Sequence, residues 1–444
     1  MDRSIPPISL EQPRFKIPMH EQRTLSNGMN VVLLHDSSSP LISISLTFRI
    51  GAAHENISGL SRACAGLMMM GTSTKTANDI HTIIDSLGIA CSYSASWDSF
   101  ECSAIGLSNH TKAIIDLMSE TLFDSQFPEH EIALKKELML AEHEQYMIDP
   151  EYMASRALSS IMFVNHPYGS SRLGLPSTIA HIDRKQCRTW LDQLLQSADA
   201  FFTIAGNCDP DIIMHHLENA FGSWKSSMNV HDIPQVAFQE DIQCIIAPKP
   251  DAVQTALHIA YPSIGIVHPD YALFRIASTA FGGYFASRIN HMLREVHGYT
   301  YGAFAQSFAR KGANTYNIQT HIGNDVTEHG IQLIFEELQK MRESPLKEEE
   351  CETVKQYLMG TMIQGMETYQ QIASRLKMIE FNHLPTTYHA DQFEAISQAT
   401  PTTVFDIQKA YFTGAHCVIS ASGNPAVLSP IFESYGDTML FQES

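Results

Sequence analysis

A repeat spaced at about half the chain length is the strongest constraint on what this sequence can fold into. Phe202–Trp224 reads FTIAGNCDPDIIMHHLENAFGSW and Val418–Thr438 reads VISASGNPAVLSPIFESYGDT. Each copy is a strand-like run ending in Gly-Asn, then a helical stretch, then an aromatic-glycine pair, Phe221-Gly222 or Tyr435-Gly436. The offset is 217 residues from Gly206 to Gly423 and 214 from Phe221 to Tyr435, in a chain of 444. Ahead of both lies a helical stretch with matching apolar positions: Trp190, Leu194 and Leu195 against Ile407, Tyr411 and Phe412. Two homologous halves follow, and the length agrees with two domains of about 200 residues. KSSMNVHDIPQVAF (Lys225–Phe238) is polar and punctuated by Pro234, which suits a linker. The division read from sequence is an N-terminal domain over 1–227, a linker over 228–238 and a C-terminal domain over 239–444.

The first half gathers strands beside strands. Glu21–Asp36 carries Asn27-Gly28 between two strand-like runs, a strong hairpin signal. A third strand is expected over Leu41–Ile50, a helix over Thr76–Gly88, strands near Ile89–Ala95 and Ser99–Ile105, and helices over His110–Leu122 and Glu129–Met147. That order predicts an α+β fold with mainly antiparallel sheets covered by helices rather than a parallel βαβ array.

Charge narrows the partners. Lys and Arg total 29 against 48 Asp and Glu, a formal charge of −19, which disfavours nucleic acid and anionic membranes. No apolar run approaches the roughly 18–20 residues that span a bilayer. The first twenty residues hold prolines and charges where a signal peptide needs an apolar stretch, so a cytoplasmic location is expected. Eight cysteines, no two closer than eleven residues, offer no zinc-ribbon spacing and read as free thiols of a reducing compartment.

One ordered stretch is short of chemistry. GLSRACAGLMMMGT (Gly59–Thr72) begins as a buried helix, with Leu60, Ala63, Cys64, Leu67 and Met68 at three- and four-residue steps, yet Arg62 is its only functional side chain. Met68–Met70 reads as core filler at the helix end. The acidic helix Pro128–Glu144 reads as amphipathic with solvated charges, and His215-His216 as surface rather than metal ligands.

Taken together, TLSNGMNVVLL, FRIGAAHEN with GLSRACAGLMMMGT, ALKKELMLAEHEQYMIDP (Ala133–Pro150), HPYGSSRLGLP (His166–Pro176) and AFGGYFASRINHMLREVHGYTYGAF (Ala280–Phe304) resemble the inverzincin peptidases. These are the pitrilysin or M16 group, and the resemblance is to its small two-domain bacterial and mitochondrial-processing-peptidase type. The resemblance spans nearly the whole chain. It implies two similar α+β domains facing each other as a clamshell of the LuxS/MPP-like metallohydrolase type. Active members carry H-x-x-E-H on the first helix, where two histidines bind zinc, the glutamate is the general base and a downstream glutamate is the third ligand.

Overlaying that motif places Arg62 and Gly66 at the histidine positions, Ala65 at the base and Glu142 at the third ligand. None of the 21 histidines has another three, four or five residues away, so a helical two-histidine zinc site is absent in any register. The chain is expected to bind no cofactor and to have no hydrolytic centre of its own. Glu142 is then either a relic or the partner of Arg62 across the former site.

The family includes two-chain enzymes in which one subunit has lost the motif but lends an arginine and a tyrosine to the shared chamber. Arg294 and Tyr301 stand at those places, with Tyr299 as the neighbour that a one-register error would select. An arginine fork suits a peptide carbonyl or carboxylate, and a tyrosine hydroxyl suits a developing oxyanion. The resemblance therefore implies a non-catalytic, peptide-binding subunit closing the chamber over the zinc of a partner that carries H-x-x-E-H. The rival readings are a catalytically silent scaffold, a homodimeric peptide-binding protein, and, least favoured, a peptidase with an unorthodox metal site.

Overall fold

The computed structural model describes residues 15, 20–196, 199–225, 232–414 and 416–443. The first sheet contains β1 (Glu21–Thr24), β2 (Asn30–His35), β3 (Leu41–Phe48), β4 (Ala90–Ala95), β5 (Phe100–Leu107) and β6 (Ala200–Gly206), in the order β1-β2-β6-β3-β5-β4. The second contains β7 (Gln243–Pro248), β8 (Gln254–Pro262), β9 (Ala303–Ala309), β10 (Asn314–Gly323), β11 (Val418–Gly423) and β12 (Asp437–Leu440), in the order β12-β7-β11-β8-β10-β9. Five positions correspond one to one, and the repeat lies at the same one: β6 and β11 each sit third, parallel to a neighbour on one side and antiparallel on the other. The sixth strand breaks the symmetry, because β1 runs antiparallel to β2 whereas β12 runs parallel to β7. The remaining pairs are antiparallel, as expected for an α+β fold.

Local chemistry accounts for the elements. Gly28, at φ +91°, turns the β1–β2 hairpin. The helix Ala77–Leu87 starts on a Thr76/Asp79 capping box and stops at Gly88 in the left-handed region. In β3, Ile42, Ile44, Leu46 and Phe48 face the first core, alternating with Ser43, Ser45 and Thr47. Those polar residues are also buried, because a helix from the other half covers them.

Each half lends the other a helix. Helix α5 follows α1 (Leu60–Leu67), α2 (Ala77–Leu87), α3 (Thr111–Phe123) and α4 (Glu129–Met147), and spans Pro150–Met162. It packs Ala157, Leu158, Ile161 and Met162 against Ile245, Ala247, Ala260 and Val418 of the second sheet. Conversely, the helix Tyr369–Phe381 lays Tyr369, Ile372, Ala373 and Leu376 on Val32, Leu34 and Ala205 of the first.

Polar contacts fix both seats. Ser420 donates to the Ala154 carbonyl at 2.7 Å, and Glu151 meets His258 at 2.8 Å and His321 at 2.7 Å. Buried Arg49 donates to the carbonyls of Glu380 and Phe381 at the end of the second helix and pairs with Asp199. Of the linker read from sequence, residues 228–231 lie outside the described residues. The described part is bound rather than slack: Val236 N–H donates to the Gly312 carbonyl at 2.9 Å, and Ile233, Val236 and Phe238 join the core under α5.

Candidate functional site

Helix α1 is built from a glycine contact and a carboxylate cap. Gly59, at φ +89°, lies so close to Gly174 that a Cβ would stand 2.8 Å from its Cα, so GLSR and RLGLP fit only with glycine on both sides. The Glu55 carboxylate accepts from the N–H groups of Gly59 and Ser61, each at 2.7 Å, satisfying the helix start. Burial pushes the Glu55 carboxyl upward, and those hydrogen bonds oppose it. The helix ends at Leu67. Met68 is fully packed in the core, with Met69 and Met70 against it.

At the overlaid zinc positions, Arg62 Nη2 lies 2.7 Å from Glu142 Oε2, joining α1 to α4. Arg62 Nη1 and Glu142 Oε2 are both buried without a hydrogen bond. With side chains 29% and 41% exposed, the pair contributes about 0–1 kcal/mol. Sequence overlay did not reveal a second cation, Lys135, whose Nζ comes within 2.8 Å of where a Gly66 Cβ would stand. Its ammonium is held below the ordinary lysine range by desolvation and then by Arg62, with Glu142 opposing. Lys135 and Glu142 are seven residues apart, two turns along one face of α4.

This arrangement does not fit zinc. Ala65 and Gly66 supply no donor, Glu142 is already paired, and two cations stand where a dication would sit. Among the described residues no group of three or more His, Cys, Asp or Glu is placed to hold a metal.

The same contacts correct the reading of α4 as an amphipathic helix with merely solvated charges. Lys135 and Glu142 turn toward α1, Lys136 donates to the Ala180 carbonyl at 2.7 Å, and Leu134 and Leu138 are exposed. His215 is exposed and bonds Asn219 within its own helix, in keeping with a surface position.

Arg294 and Tyr301 are near in sequence but not joined. Arg294 lies in a wide helical turn (His291–Val296), with its guanidinium 4.6 Å above the Phe285 ring and 3.5 Å from Glu295. Tyr301 is 93% exposed and falls in the turn before β9 rather than within the strand. Thr300 causes the delay by bridging the Gly302 N–H and carbonyl. The Tyr299 hydroxyl bonds His329 at 2.9 Å.

Beside α1, between the halves, lies a cavity of about 620 Å³ lined by Trp97, Tyr152, Arg156 and Arg172 from the first half and by Phe308 and Arg310 from the second. Desolvation and then repulsion by Arg62 lower the proton affinity of Arg172. Arg172 is nevertheless an exposed residue, so that desolvation is partial. Arg172 and Arg310 had no sequence signal, since they are 138 residues apart in sequence and meet only through the packing of the halves.

Comparison with known proteins agrees with this architecture. Residues 30–175 match the family described as Insulinase (Peptidase family M16), and residues 181–358 match Peptidase M16 inactive domain. The chain is 22% identical over 359 residues to the uncharacterized zinc protease YmxG of Bacillus subtilis, covering 80% of this chain and 87% of that one. It is 21% identical over 381 residues to the non-peptidase homolog YmxG of Helicobacter pylori, covering 84% and 86%. The fold matches the peptidase M16 inactive domain structure from Pseudomonas fluorescens with a TM-score of 0.84 at 20% identity, covering 91% of this chain and 98% of the other. It matches a Helicobacter pylori protease with a TM-score of 0.82 at 16% identity, covering 91% and 100%. On fold, repeat and family match together, the chain belongs to the M16 peptidase family.

Proposed function

We propose that this chain is the non-catalytic, peptide-binding subunit of a two-chain M16 zinc peptidase. The observation that carries the proposal is the replacement of the H-x-x-E-H constellation by Arg62, Ala65 and Gly66, with Lys135 packed over Gly66 and Arg62 paired to Glu142. That arrangement opposes zinc binding while leaving α1 and its glycine contacts intact, so the chamber wall is kept without the chemistry. Edge strand β4 packs on α1 with one side unpaired, a suitable template for an extended peptide. The name non-peptidase homolog, borne by the Helicobacter pylori relative, fits this reading.

The test is reconstitution with an M16 chain carrying H-x-x-E-H from the same organism. The wild-type pair should cleave peptide, while the Arg294→Ala/Tyr301→Ala pair should assemble and lose about 100-fold or more in kcat/KM. Near-normal turnover by the double variant would defeat the role given to Arg294 and Tyr301. A scaffold or homodimeric role for the same fold is the second reading. It is favoured by one observation, that Arg294 rests on Phe285 and Tyr301 has no partner among the described residues.

A further inference from the structure

The cavity beside α1 carries a charge imbalance that the proposed role does not use. Arg310 sits in the β9–β10 turn with its guanidinium among three rings, 4.9 Å from Tyr168, 5.1 Å from Phe163 and 5.4 Å from Trp97. Its Nη1 is buried without a hydrogen-bond partner. Arg172 faces the same Trp97 ring at 6.0 Å. Among the described residues neither arginine has a carboxylate within ion-pairing distance, in a chain with 19 excess negative charges.

The acids nearby are committed elsewhere. Asp98 accepts the Tyr168 hydroxyl at 2.6 Å and the Lys311 N–H at 3.0 Å. Glu443 pairs with Arg156 at 3.0 Å, which removes Arg156 from the count of free cations. Glu55 caps α1. Burial lowers Arg310 first, and Arg172 lowers it further, while Tyr168 and Asp98 raise it.

Glu55 and Asp98 attract these two guanidinium groups from a distance, but neither touches them, and the aromatic rings supply only part of what a carboxylate in contact would. We infer that the cavity is a carboxylate site, in which Arg172 and Arg310 hold a peptide's carboxylate against the Trp97 ring. The carboxylate comes either from the chain end or from an acidic side chain. A guanidinium fork matches a carboxylate with two parallel N–H donors, and a cavity of about 620 Å³ admits a few residues of peptide. The inference rests on the peptide-binding reading for what carries the carboxylate. It needs no partner subunit, so its test stands apart from reconstitution.

The test titrates the isolated chain with three acetylated tetrapeptides by calorimetry: Ala-Ala-Tyr-Ala as the free acid, the same sequence as the amide, and Ala-Glu-Tyr-Ala as the amide. At least one carboxylate peptide should bind tenfold or more tightly than the neutral amide, and the one that does identifies the source. Arg172→Gln, which keeps the rim polar, should erase the preference, with Arg310→Gln as the second variant and thermal melting as the check on folding. Equal binding of all three peptides, no binding of either carboxylate peptide at millimolar concentration, or an undiminished preference in folded Arg172→Gln would overturn the inference.

Discussion

Arg49→Met tests the claim that the halves are interlocked rather than merely adjacent. The Arg49 side chain is 8% exposed and gathers five interactions that cross from the first sheet to the helix Tyr369–Phe381 or brace that crossing. It donates to the Glu380 and Phe381 carbonyls, approaches Glu380 Oε1 at 3.7 Å, pairs with Asp199 and stacks at 4.6 Å on the Phe201 ring. Methionine keeps most of the volume and none of the donors. Each of these helix-end carbonyls loses its charged donor, at about 1–2 kcal/mol, although Lys311 Nζ still reaches the Phe381 oxygen at 3.1 Å and the His383 N–H the Glu380 oxygen at 3.2 Å. Loss of the stacking adds about 0.5–1 kcal/mol. The Glu380 carboxylate keeps Asn30 at 3.1 Å, which limits its penalty. The total is about 3–5 kcal/mol, at the level of breaking a buried ion pair.

Urea unfolding should show that loss, and hydrogen exchange should speed up first over residues 369–381 and in β2, β3 and β6, the strands the helix covers. A loss under about 1 kcal/mol, or unchanged exchange in that helix, would refute the reasoning.

Gly206→Ala should cost more than about 3 kcal/mol, because at φ +140° its Cβ would stand 2.3 Å from the Leu41 carbonyl and 2.8 Å from Ile42 Cα. At the repeat partner, Gly423→Ala meets only side-chain atoms and Thr255 Cα, at 3.0 Å or more, and should cost about 1 kcal/mol; equal losses in urea unfolding would sink the contrast. Although burial pushes the other way, His258 and His321 hold the Glu151 carboxyl down at about 2, and Glu151 holds His321 above its usual 6.5. The Glu151 contribution is therefore present above about pH 4.5 and lost as pH falls toward 2; that of His321 is present below 6.5 and lost as pH rises through its raised value. Urea midpoints should show both slopes in the wild type and neither in Glu151→Gln, and a retained slope would count against the bridge. Restoring the motif with Arg62→His, Ala65→Glu and Gly66→His should leave the protein without stoichiometric zinc while Lys135 is present. Adding Lys135→Ala should bring about one equivalent by elemental analysis, and full loading without that fourth change would show that Lys135 is no obstacle.

Local rules made much of the fold legible. The Asn27-Gly28 hairpin, the Thr76 cap with its Gly88 stop, and the Gly-Asn/aromatic-Gly repeat all marked elements that the structure contains. The run of β6, apolar except for Thr203, is buried on both faces. The serines of β3 and β11 pointed the other way, since alternation with serine describes a strand with one wet face. They are buried only because helices from opposite halves cross over, an event with no local signature. The site divides similarly. Arg62 and Glu142 were found because the motif overlay fixes their places, and their ion pair was anticipated from it. Lys135, Arg172 and Arg310 were not, because each gains its meaning from a contact made by another segment. That Tyr301 lies in a turn ahead of β9 was not legible either, because the Thr300 hydrogen bonds that make the turn are too short in range to alter the hydrophobic pattern.

The central claim is that this chain works as the silent half of a two-chain peptidase. Gentle affinity purification from the native cells, with co-eluting chains identified by mass spectrometry and the eluate assayed on peptide, tests it most directly. The account predicts a stoichiometric partner of similar size bearing H-x-x-E-H, with zinc and peptidase activity in the pair and neither in this chain alone. A homodimer without such a partner, or peptide hydrolysis by the isolated chain, would contradict it.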